Sequence, residues 1–452
     1  MRKANPAWKI LLAVFSLLLT VFVWERGLEE SFNRPSVVPK LTLQQNEMAL
    51  LAEPTFPSSI KEIFIGKSPE ITLKNSLLEI PVGELNERER ILLAALGNKE
   101  EMRDSLLKGE FLNPSYSNLQ RALLSRSKDK EALISTLKND SQISNDPLLS
   151  SVTCFAIDNL NNDCIDISAS QRMTWRLLLS QSFPAIATFI GVVLLIRQSW
   201  LLFRSKGSKW PTLSSLPLSI VDMVLLVAGG FVVLGEIIIP SIVSPFMVLL
   251  TREITSPLAD SLKVFVAYSS MTLPPLYILR QQIKNLGSNI NQPEFGWLQW
   301  KFAPISKGFF SALQGWLMIM PLVLLISWVM NLLIGDQGGS NPLLELVLNI
   351  RDPLPLGLLI FTIVVIAPLF EELVFRGVLL PVLSREFGVS LGIVISALVF
   401  GIAHLSIGEL PPLFVLGIGL AILRLSTGRL FPCVLMHSLW NGITFANLLL
   451  LG

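Results

Sequence analysis

Within an apolar run near the C-terminus the chain reads Phe370-Glu371-Glu372-Leu373-Val374-Phe375-Arg376-Gly377. Three charges so close together need a reason, since one ionisable group inside a membrane span costs about 2.5–3.5 kcal/mol on insertion scales. Helical spacing divides their roles. Glu372 and Arg376 are four residues apart and share a face, with the acid first in the better pairing order. Glu371 is turned about 100° from Glu372 and points elsewhere. The pair can neutralise itself and leave Glu371 as a lone carboxylate, free to act as a general base. The competing reading is one buried ion cluster that ties helices together.

The chain has 2 histidines, and both lie on later apolar segments. One closes Phe400-Gly401-Ile402-Ala403-His404, and the other opens His437-Ser438-Leu439-Trp440-Asn441. His437 and Asn441 are four apart, on one helix face. A single histidine on an apolar helix is usually structural, but coincidence poorly explains both lying near the glutamate pair. A carboxylate, two imidazoles and a carboxamide suffice to activate a water and stabilise an oxyanion. Two histidines and a glutamate can also hold zinc with an open position for water, although no HExxH spacing is present.

The elements that must position these groups are membrane helices. The 452 residues are 51% hydrophobic and 15% charged, with a mean hydropathy of +0.58. A soluble chain carries nearer 25% charge. A net charge of +2 points to no nucleic-acid partner. Apolar runs fall at about 8–24, 176–196, 218–239, 259–279, 308–334, 354–383, 388–404, 410–425 and 430–451. These predict an all-α polytopic protein of about nine spans. The first run lacks a small-x-small cleavage site and reads as an uncleaved anchor over 1–24. Residues 25–172 regain polar residues and read as a small, mainly helical soluble domain, with amphipathic stretches at 87–96 and 118–137. Residues 173–307 form a first set of spans and 308–452 the core that carries the motifs. Asp222, Glu236 and Lys263 read as tolerated charges near span ends.

Basic residues mark every second loop: Arg2, Lys3 and Lys9; Arg197, Arg204, Lys206 and Lys209; Arg280, Lys284, Lys301 and Lys307; Arg385; Arg424 and Arg429. The positive-inside rule then puts the N-terminus in the cytoplasm and residues 25–172 outside it. Cys154 and Cys164, ten residues apart, would lie where a disulfide can persist; two free buried thiols are the alternative.

The ordered motifs EExxxR, FxxxH and HxxxN resemble those of the CAAX-protease and bacteriocin-processing (CPBP, or Abi) family, which includes the prenyl-protein CAAX endopeptidases. The likeness covers about residues 310–450 and leaves out the anchor and the outer domain. It implies that Glu371 and His404 activate the attacking water, that His437 and Asn441 stabilise the oxyanion, and that Glu372 and Arg376 support them. It implies a metal-free glutamate mechanism, with zinc as the lesser alternative. The expected activity is intramembrane endopeptidase action on a membrane-associated protein or peptide in the bilayer. A non-catalytic scaffold or immunity factor of the same fold is the main alternative. A proton-relay transporter is the third, and no internal repeat supports it.

Overall fold

The computed structural model describes residues 5–34, 36–97, 100–124, 140–157, 164–204, 211, 213, 216–286, 292–335, 339 and 342–451. Among them every regular element is helical, and the chain divides into two units. The first comprises Met1–Val37 and Ala185–Leu449, the second Val38–Pro184 and Leu450–Gly452. Among the described residues eight helices are long and apolar enough to cross a membrane. They are α1 (Ala7–Ser31), α2 (Ile167–Phe203), α3 (Ile220–Leu250), α4 (Leu258–Lys284), α5 (Ile305–Ile334), α6 (Pro353–Phe387), α8 (Leu410–Thr427) and α9 (Phe431–Leu451). The helix expected at 388–404 forms as α7 (Val389–Ile402), with only 14 residues. At 1.5 Å per residue it spans about 21 Å, short of a bilayer core of roughly 30 Å.

That shortness sets the depth of the motifs. Gly388 turns the chain between α6 and α7 at φ 88°, which glycine adopts freely. Gly392 then lets the two helices touch, because a Cβ there would lie 2.4 Å from Ser384 Oγ. Glu371 precedes Gly388 by 17 residues and His404 follows it by 16. In such a hairpin both stand about 24–26 Å from the turn. They meet at one depth without the break in α6 that its prolines suggest.

Those prolines act more locally. Pro368 and Pro381 follow wide π-turns at Phe361–Ile366 and Leu373–Leu379. In the first, Ala367 N–H bonds Thr362 O, an i→i−5 step. The next carbonyl, Ile363 O, would pair with residue 368, and proline has no N–H to give. Asn441 Nδ2 donates to it instead, at 2.9 Å. In the second, Leu380 N–H bonds Phe375 O, and Pro381 likewise cannot serve Arg376 O. Arg424 Nε fills that place at 3.2 Å. Two side chains, from α9 and α8, thus complete the backbone of α6.

The core of the first unit gathers Phe231, Phe370, Phe375, Phe400, Trp316 and Met436, among others. Outward faces stay apolar, as with Leu11 (69% exposed) and Leu18 (66%) on α1, which suits contact with lipid. Charge near the span ends is paired. Lys9 bonds Asp222, which also caps α3 with Ser219, and Lys263 lies 3.0 Å from Asp260.

The second unit is a cluster of short helices around Leu73, Leu77, Ile91, Leu92 and Leu149. The stretch expected at 87–96 is the helix Glu87–Leu96. Of the stretch expected at 118–137, residues through Leu124 are helical and 125–137 lie outside the described residues. So do Arg2, Lys3, Lys206 and Lys209 of the basic-loop pattern. Arg88 grips both oxygens of Glu47 at 2.7 and 2.9 Å and reaches Asp146 at 2.5 Å. Burial opposes its charge, yet the two carboxylates outweigh that and hold its pKa above the ordinary guanidinium value. Cys154 and Cys164 form a disulfide.

Candidate active site

The α6 helix sends its glutamates to different partners, as their spacing requires. Glu372 and Arg376 are fully buried and 2.8 Å apart. Arg376 also donates to Gly417 O on α8 at 3.2 Å and lies 4.3 Å over the Phe400 ring. Glu372 Oε1 receives a second contact, His437 Nδ1, at 2.9 Å. A carboxylate accepts, so the proton of that contact belongs to Nδ1. His437 is the third member of the buried group, a link that the motifs do not reveal.

Glu371 faces the other way. Its Oε1 accepts a hydrogen bond from Tyr268 of α4 at 2.8 Å. Its Oε2 is buried without a hydrogen-bond partner. That oxygen stands 4.0 Å from His404 Nε2 and 3.8 Å from His437 Nε2. The gaps are too long for direct hydrogen bonds. A water among the three groups could bond each. His404 Nδ1 is 2.8 Å from Phe400 O, an acceptor only, so it carries the proton and leaves Nε2 bare in the neutral ring. The Phe400 ring packs edgewise on both imidazoles, with centroids 4.9 and 5.6 Å away. Glu371 and His404 keep 13% and 23% of their side chains exposed, His437 only 3%. The cluster therefore opens on the Glu371 and His404 side.

Five of the six sequence-derived residues converge directly: Glu371, Glu372, Arg376, His404 and His437. Asn441 joins through the backbone of α6 rather than through a carboxylate. Two residues escape the sequence reading. Tyr268 is one of only 3 tyrosines, sits in mid-span, and carries no motif. Glu236 is not at a span end, because α3 runs on to Leu250. It interacts electrostatically with Tyr268 and Glu371, and the Trp24 indole approaches its carboxylate without closing a hydrogen bond. Among the described residues no group of three or more His, Cys, Asp or Glu is placed to hold a metal.

Fold and site together define an all-α polytopic membrane protein with a glutamate/histidine cluster at mid-bundle. Residues 353–443 match the family described as type II CAAX prenyl endopeptidase Rce1-like. The chain is 30% identical over 137 residues to the membrane-embedded CAAX protease MroQ of Staphylococcus aureus (strain USA300). The alignment covers 29% of this chain and 54% of that protein, so the chain spans about half the length of the curated relative it matches. The resemblance to the CPBP intramembrane proteases therefore holds for the C-terminal segment. Residues 38–175 match a domain of unknown function, DUF8675. No solved structure matches the chain.

Proposed function

We propose that this protein is an intramembrane endopeptidase that hydrolyses a peptide bond of a membrane-associated protein or peptide, with Glu371 as general base. The observation that carries the reading is the unbonded Glu371 Oε2, 4.0 and 3.8 Å from two imidazole nitrogens. A water held there by Oε2 and by the bare Nε2 of His404 gives its proton to Glu371. The hydroxide adds to the scissile carbonyl carbon. The carbonyl oxygen becomes an oxyanion that takes a hydrogen bond from His437 Nε2–H. That donor exists only in the doubly protonated ring, and Glu372 is its counter-ion at Nδ1. One N–H of Asn441 is engaged on Ile363, and its second N–H is offered to the same oxyanion. Collapse of the tetrahedral intermediate breaks the C–N bond, and Glu371 returns the proton to the leaving amine. Residues 38–175 lie outside the protease match and supply no residue to this step.

The test is cleavage of a membrane-tethered peptide library by the purified protein in lipid vesicles. Wild type, Glu371→Gln and His404→Ala are compared, with and without a chelator. The expected result is cleavage by wild type only, lowered roughly 10²–10⁴-fold in the variants as befits general-base loss, and indifferent to chelator. A folded wild type that never cleaves gives way to the scaffold reading. Loss with chelator and recovery with zinc gives way to a metal-activated water.

A further inference from the structure

The segment matched to the protease family starts at residue 353, yet the turn that carries His404 is held from the far end of the chain. His404 lies just past the last turn of α7, where Leu405 N–H bonds Ile402 O. Leu405 takes φ 51°, the left-handed position after a helix that usually falls to glycine. A leucine there gains no backbone comfort, so its side chain must supply the reason. That side chain packs on α1: a Cβ added at Gly27 would meet Leu405 Cδ2 at 2.9 Å. The Arg34 guanidinium, three residues past the end of α1, donates to Leu405 O and reaches Gly27 O at 3.4 Å. Ser31, fully buried, accepts from Ile407 N–H at 3.1 Å and donates to Leu28 O at 2.6 Å. Ser406, also buried, donates to Gly339 O at 2.9 Å. Three consecutive residues after the histidine are thus tied down, two of them by α1. The same helix brings Trp24 to the carboxylate of Glu236.

We propose that α1 is a working part of the active site: its C-terminal turn and the residues just after it, through Gly27, Ser31 and Arg34, clamp Leu405–Ile407 and so fix where His404 Nε2 points. This rests on the reading of His404 as a partner of the attacking water. Arg34 is a positioning residue, acting through the turn and touching no substrate. An anchor that only held the protein in the membrane would need none of these contacts. A catalytic group displaced by about 1 Å loses rate steeply, by up to about 10²-fold.

The experiment uses the full chain in lipid nanodiscs, with Arg34→Ala, Gly27→Leu and Leu405→Gly. Three readouts are taken: amide exchange across 403–408, the imidazole resonances, and kcat against KM. The chain has 2 histidines, so ring-labelled protein gives one signal for each, assigned with His437→Gln. The expected result in each variant is exchange across 403–408 faster by roughly tenfold. The His404 signal moves, the His437 signal stays, and kcat falls about 10- to 100-fold with KM little changed. Exchange in α9 stays at the wild-type rate and certifies the fold. Leu405→Gly is the decisive variant, because glycine suits the backbone and removes only the docking. Wild-type exchange and an unmoved His404 signal in Leu405→Gly and Gly27→Leu overturn the clamp. A wild type that never cleaves overturns the endopeptidase reading instead, and the exchange and resonance readouts still decide the clamp.

Discussion

Two adjacent glutamates with opposite environments are the centre of this molecule. Glu372 has Arg376 and His437 as partners and no exposure. Glu371 has one hydrogen bond, from Tyr268, on the oxygen turned away from the histidines. The single bond is informative, because it holds the carboxylate plane and leaves Oε2, the oxygen proposed to meet the water, without a partner. Removing it should cost the rotational order of Glu371 without altering charge. Tyr268→Phe is therefore expected to lower kcat about 10- to 100-fold, in line with about 1.5–3 kcal/mol for a hydrogen bond to a charged group, with KM little changed. Steady-state cleavage kinetics check this, and an unchanged kcat would remove Tyr268 from the site. The split between the glutamates was legible in the sequence, because residue spacing on one helix fixes relative direction. Tyr268 was not, because contacts between helices distant in sequence leave no spacing to read. Glu236 was misplaced for a simpler reason: its helix runs on past the expected run at 218–239, through Pro240 and Pro245, to Leu250.

At the scale of the element, α6 shows how prolines can sit inside a membrane helix. Each wide turn leaves one carbonyl without a backbone donor, and a neighbouring helix supplies it. Asn441 then has two claims on it, one from the resemblance and one from Ile363. A double-mutant cycle separates them. Asn441→Ala should destabilise the protein by about 1–3 kcal/mol, the cost of a buried carbonyl left unpaired. In a Pro368→Ala background an N–H returns at residue 368 and the cost of Asn441→Ala should largely vanish. Thermal unfolding in nanodiscs measures both. Equal costs in the two backgrounds would mean that Ile363 O does not depend on Asn441. If stability recovers in the double variant and cleavage does not, the carboxamide has a separate part in the chemistry. Pro368 and Pro381 offer places for a break in α6, and such a break would be one way to bring Glu371 to the depth of His404. The hairpin at Gly388 removes the need for one, since both residues lie nearly the same number of steps from the turn. The eventual length of α7 was the missing quantity, and apolar composition continues past Ile402 without marking the end.

At the scale of the whole molecule, the basic loops and the disulfide make one argument about sidedness. A bridge between Cys154 and Cys164 persists in an oxidising compartment. The positive-inside rule, applied to the basic loops, leads independently to the expectation that this stretch lies outside the cytoplasm. The remaining cysteine, Cys433, is buried, so the wild-type chain should be nearly silent to a membrane-impermeant maleimide. Two substitutions at exposed positions then report topology: Ser59→Cys in the second unit and Asn285→Cys after α4. In intact cells or spheroplasts Ser59→Cys should label at once, and Asn285→Cys only after permeabilisation. A reductant added from outside should make Cys154 and Cys164 reactive in the same intact cells. Closing that ten-residue loop is worth about 2–3 kcal/mol to the second unit, so reduction should also hasten its proteolysis. Labelling in the reverse order would turn the molecule over. The helical domain of residues 38–175 would then face the cytoplasm, and its thiols would stand reduced.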